Sequence, residues 1–76
     1  TLICKNNMSS IIIDRFGLNV HMRKNDENTF LVAVRVAVSP TFLTWLMNFG
    51  SDIKIISPEN VISKFKETAL KALEQY

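Results

Sequence analysis

Apolar residues along the chain fall into two periods. Leu18, Val20 and Met22 alternate with Asn19, His21 and Arg23, the pattern of a half-buried strand over 18–23. Phe30 to Val38 predicts the longest strand. It has Val32, Val34, Val36 and Val38 on one face and Ala33, Arg35 and Ala37 on the other, and its β-branched density suits a central position. Ile53 and Ile55 face the core of a further strand, with Lys54 and Ile56 turned away. Thr1 to Lys5 is a short first strand. Between these segments the spacing becomes helical. Ile12 and Phe16 share one face, and Phe42, Leu43, Trp45, Leu46 and Phe49 form a second stripe. Val61, Ile62, Phe65, Ala69, Ala72, Leu73 and Tyr76 form a third, with Leu70 left on the polar side.

Punctuation agrees with these periods. Phe16-Gly17-Leu18-Asn19-Val20-His21-Met22 recurs 33 positions later as Phe49-Gly50-Ser51-Asp52-Ile53-Lys54-Ile55. Each copy reads as a helix ending on an aromatic, a glycine that stops it, a short turn and a strand. Ser9 or Ser10 is placed to cap the first helix. Ser39-Pro40 opens the second with a cap and a proline at its first position, and Ser57-Pro58-Glu59 repeats that opening for the third. Lys24-Asn25-Asp26-Glu27-Asn28 is a polar hairpin loop. Glu67 and Lys71 make a favourable i,i+4 pair.

The element order is β-α-β-β-α-β with a C-terminal helix. Right-handed crossovers convert that order into an α+β, ferredoxin-like domain, a four-stranded antiparallel sheet with helices on one face. The expected spatial order is fourth, first, third, second. Seventy-six residues allow one domain, and a chain of this size buries about 60–65% of its unfolded surface.

Asp14-Arg15-Phe16-Gly17, the strand Phe30–Val38, Thr44-Trp45-Leu46-Met47-Asn48-Phe49-Gly50 and Ile56-Ser57-Pro58-Glu59 together resemble the WCX domain, the C-terminal extension of bacterial WYL-domain transcriptional regulators. The likeness covers roughly residues 11 to 76. It implies a parent with an N-terminal winged helix-turn-helix that binds DNA and a WYL domain that senses a nucleic-acid or nucleotide-like effector. The present module would then dimerise the regulator and help shape its sensor region. The expected partners are a second copy and the parent's WYL domain. The family lends no catalytic or ligand residue to any position here. The start at Thr1, without Met and inside a strand, reads as a domain excised from a longer regulator.

Bulk chemistry adds little to this picture. A net charge of +2 permits an anionic partner without demanding one. The single cysteine, Cys4, excludes an internal disulfide and reads as a small apolar strand residue of a reduced, cytoplasmic protein. No apolar run is long enough to cross a membrane, so no membrane partner is expected.

Two surfaces remain as candidates. On the sheet face away from the helices, Asn19, His21, Arg23, Arg35 and Lys54 form a basic band with Leu31, Ala33, Ala37 and Ile56 between them. The band suits a phosphate backbone or the acidic surface of a partner domain, and equally an ordinary solvated face. It carries no aromatic to stack a base. Thr41, Thr44, Met47 and Asn48 form the outer face of the second helix, inside a stretch from Val36 to Ser51 that carries no charge. That face suits packing against another subunit or a neighbouring domain. His21 is the only histidine and has no second ligand at metal spacing. Asp14 and Arg15 read as a local surface pair, and Trp45 as a core anchor. No phosphate loop, carboxylate pair or nucleophile–base set is present, so neither an enzyme nor a cofactor is expected. A ferredoxin-like small-molecule-binding regulatory module is the alternative reading of the same fold.

Overall fold

The computed structural model describes all 76 residues. Four strands, β1 (Leu2–Lys5), β2 (His21–Lys24), β3 (Thr29–Ala33) and β4 (Ile53–Ile55), form one antiparallel sheet in the order β2-β3-β1-β4. Helices α1 (Ser9–Phe16), α2 (Pro40–Met47) and α3 (Glu59–Leu73) complete the β-α-β-β-α-β plan with its added C-terminal helix. The expected order of strands is the observed one.

Period-2 alternation decides which face the helices cover. Leu2 and Cys4 of β1, Phe30 and Val32 of β3, and Ile53 of β4 are buried together with Met8, Ile12, Phe42, Leu43 and Leu46. Leu2 is paired with Val32 on one side and with Ile55 on the other, so the core contacts lie in one row across the central strands. No polar or charged residue enters this core, and burial of its apolar area is the main stabilising term.

β3 is shorter than its alternation predicts. It ends at Ala33, which pairs with His21, the first residue of β2. The Leu2–Val32 pair ends the ladder on the β1 side. Residues 34–39 therefore have no neighbouring strand to bond and run irregularly, leaving Val34 and Val38 half-buried and Val36 exposed. β2 also starts late. Val20 donates its amide to the Gly17 carbonyl at 3.3 Å, and this turn throws Leu18 into solvent, 86% exposed. Gly17 has φ 92° and ψ 167°, a conformation essentially restricted to glycine and not the left-handed helical one.

Helix starts differ in their caps. The Ser39 hydroxyl accepts the Phe42 amide at 3.2 Å and Pro40 takes the first helical position, as expected. Neither Ser9 nor Ser10 caps α1. A 3-10 turn at Asn6–Met8 runs directly into the helix, so the Ser9 amide already donates to the Asn6 carbonyl. Pro58, not Ser57, stands at the start of α3, and no side chain caps it.

α3 is the largest departure. Val61, Ile62 and Phe65 rest against the body, but no residue of the helix is fully buried. Ala72, Leu73 and Tyr76, expected in the core, are exposed, because the second half of the helix extends past the sheet and α2. The Lys71–Glu67 pair forms as expected, at 3.0 Å.

Trp45 is a half-buried lid and not a core residue. It packs edge-on to Phe16 (5.8 Å) and Phe49 (5.1 Å) and stacks on Phe42 (6.1 Å). Arg15 pairs with this ring and not with Asp14, its guanidinium lying 5.2 Å from the ring centroid. Trp45→Ala is expected to cost about 2–4 kcal/mol, below the loss from a fully buried tryptophan, because part of the ring is already wet. Urea unfolding checks this; a loss under about 0.5 kcal/mol, the scale of an ordinary surface change, would remove Trp45 from the account.

Candidate functional site

The open face of the sheet is built by the residues that the core alternation leaves over. Strand register arranges them in rows. In one row Arg23 of β2 pairs with Leu31 of β3, Leu31 with Ile3 of β1, and Ile3 with Lys54 of β4. The row thus reads cation, apolar, apolar, cation. Three strand spacings of roughly 4.8 Å put the two cations' backbones about 14 Å apart.

The rows on either side differ from it. On one side, His21 pairs with Ala33, and Thr1 with Ile56 through an Ile56 amide that donates to the Thr1 carbonyl at 3.0 Å. Thr1, His21, Arg23, Leu31 and Ala33 line one shallow depression of about 200 Å³. On the other side the polar groups satisfy one another. Asn25 Nδ2 donates to Thr29 Oγ1 at 3.0 Å, and Lys5 Nζ meets Asp52 Oδ1 at 3.2 Å.

Charge on this face is consequently uneven. Lys5 is neutralised, whereas Arg23 and Lys54 have no carboxylate within ion-pair distance. Of the two hairpin acids, Asp26 is already engaged, whereas Glu27 makes no ion pair. Asp26 accepts the Thr29 hydroxyl and the Asn28 and Thr29 amides, each at 2.8 Å. Those bonds, the Thr29 hydroxyl first, hold its carboxyl below the usual carboxylate range.

The predicted band does not survive intact. His21, Arg23 and Lys54 lie on strands, at opposite edges of the sheet. Arg35 lies beyond the end of β3 and not on it, for want of a pairing strand. With Asn19 and His21 it borders a separate depression beside Phe16 and Val34. Sequence reasoning missed Ile3 and Lys5, although β1 alternates as plainly as β2; four residues are few to read a period from.

A second feature follows from the irregular 34–39 segment. A cleft of about 310 Å³ opens between this segment, the ends of β1 and β4, and the start of α3. Leu2, Val34, Val38, Phe42, Ile55 and Val61 line it, with Arg35 also contributing. On α2, Thr41, Thr44 and Asn48 are exposed and Met47 is half-buried. Thr44 Oγ1 donates to the Pro40 carbonyl at 2.7 Å, so this hydroxyl bonds to its own helix.

Cys4 is inside the core at 1% exposure, and burial pushes its thiol up to about 11 from 9.0. No group of three or more His, Cys, Asp or Glu side chains converges as a metal site. No helix is long and apolar enough to cross a membrane.

Fold and surface together define a small α+β domain of ferredoxin-like plan whose distinctive chemistry lies on exposed faces. The WCX domain family model matches residues 5–73, and the chain belongs to that family, a regulatory domain family of WYL-type proteins. No curated protein and no solved structure matches the chain.

The Cys4 thiol provides a direct check on the core. Its raised value means that folding favours the protonated form. That contribution is complete below about 9 and is lost as pH rises through about 11. At pH 8 a thiol reagent is expected to react with Cys4 only as fast as the chain opens, and at once in denaturant. Immediate stoichiometric reaction of the folded chain would place Cys4 outside the core.

Proposed function

We propose that this domain serves assembly and effector response in a WYL-type bacterial transcriptional regulator. In this reading two copies pack together as a homodimer. Each domain also lies against its parent's WYL domain and forms part of the wall of a site for a nucleic-acid or nucleotide-like effector. DNA is bound elsewhere, through an N-terminal domain of the parent. The domain's work is structural and cytoplasmic, and it needs neither catalysis nor a cofactor.

The observation that carries the assembly half is a pair of leucines left in water on α3. Leu70 and Leu73 are 58% and 68% exposed on a helix whose first half packs on the body. Adjacent apolar side chains left in water at this density favour an interface over a solvated end. The uncharged face of Thr41, Thr44, Met47 and Asn48 offers a second such surface. The unpaired Arg23 and Lys54, together with His21 and Arg35, support contact with an anionic effector or an acidic partner domain.

The cleft of about 310 Å³ favours a second reading, a small-molecule-binding regulatory module. Its volume is at the lower end for a ligand pocket, and its wall is mostly apolar, with Arg35 as its charged group.

Sedimentation of the chain across concentration tests the assembly half. A dimer is expected, converted to monomer by Leu73→Glu or Met47→Glu, since a charge at the interface core is left unpaired on association. A monomer at every concentration, with both variants indistinguishable from it, would end the homodimer reading.

A further inference from the structure

We propose that the open face of the sheet docks a partner α-helix that carries an apolar ridge flanked on both sides by carboxylates. The inference rests on the reading of Arg23 and Lys54 as partner-facing groups.

Three features of the face specify this occupant. The first is width. Arg23 and Lys54 stand about 14 Å apart across one row, and a helix with its side chains is about 10–12 Å across. A helix lying along the strands over Leu31 and Ile3 therefore has one cation on each side, within reach of its flanks. The second is the apolar floor. Leu31 and Ile3 are half-buried, and one row on the strip continues through Ala33, with Thr1 beside it and Ile56, 43% exposed, at the β4 edge. Two rows span about 7 Å along the strands, a little over one helical turn, so residues at i, i+4 and i+7 of the partner cover it. The third is charge. The cation row holds no carboxylate, while the Lys5–Asp52 pair and the Asn25–Thr29 bond close the neighbouring row. Acidic flanks on the partner supply the missing counter-charges, and the polar row limits how far the ridge extends.

A single-stranded nucleic acid fits the same surface less well. The floor between the cations is aliphatic, and Ile3 and Leu31, with Ala33 one row on, give no aromatic ring on which a base could stack. Phosphates laid across that floor would lose water without a donor to replace it.

The test is fluorescence anisotropy with a labelled helical peptide of about 18 residues, leucines at i, i+4, i+7 and i+11 and glutamates on both flanks. The comparison probes are its scrambled version, its lysine-flanked version and an oligothymidylate of about 12 nucleotides. The glutamate-flanked peptide is expected to bind at least about tenfold more tightly than the scrambled one. The Arg23→Glu/Lys54→Glu variant is expected to lose that binding and gain the lysine-flanked peptide, a swap that misfolding could not produce. Arg23→Gln/Lys54→Gln, checked by its melting curve, is expected to bind neither. Equal binding of the scrambled peptide would overturn the helix, leaving attraction by charge alone. Oligothymidylate binding that the same variants abolish, without peptide binding, would also overturn it and leave the row as a nucleic-acid surface. No binding of any probe would overturn both the helix and the partner-facing reading of the row.

Discussion

The position of β1 between β3 and β4 is the constraint on which the rest of this domain depends. Leu2 faces Val32 on one side and Ile55 on the other, and Cys4 faces Phe30 and Ile53. These pairs put Leu2, Cys4, Phe30 and Val32 under α1 and α2 and leave Ile3 and Leu31 on the open face. A one-residue slip of β1 would turn Ile3 and Lys5 into the core and expose Leu2 and Cys4. Lys5 could not be accommodated there, since the core contains no polar group to receive it. The same register that fills the core therefore sets the outward rows, and with them the separation of Arg23 from Lys54.

Charges on the surface divide into committed and free. Lys5, Asp52, Lys71 and Glu67 are paired, Arg15 lies over Trp45, and Asp26 stabilises its own hairpin. Arg23, Lys54 and Arg35 are in no such pairing. A net charge of +2 concealed this, because composition counts charges and does not tell which have found partners. Free cations beside aliphatic side chains, and an exposed apolar helix face, are the features on which the proposed partner contacts rest. Membership of a regulatory domain family agrees with such contacts.

Much of the fold was legible because its signals are local. The glycine after Phe16, the Ser39-Pro40 opening and the strict alternation of β2 and β3 each report backbone geometry within a few residues. The strand order followed from element order and crossover handedness. The errors came where a neighbour decides. Val34 to Val38 alternate like a strand, yet β1 and β2 offer no further edge beyond Leu2 and His21. Ala72, Leu73 and Tyr76 continue a helical stripe, yet the sheet ends before they can pack. Ser9 looks like a cap until a 3-10 turn supplies the carbonyl first. Of the candidate site, the identity of the outward residues on β2 and β4 was readable. Their division into paired and unpaired, and the loss of Arg35 from the sheet, needed the register.

The most direct test of that register is the set of cross-strand backbone proton contacts in an NMR spectrum of the chain. Close contacts are predicted between Arg23 and Leu31, Leu31 and Ile3, and Ile3 and Lys54, in one line across four strands. Contacts displaced by one residue, such as Ile3 opposite Val32 or Ile53, would contradict the account, because the apolar floor and its two cations would then no longer share a row.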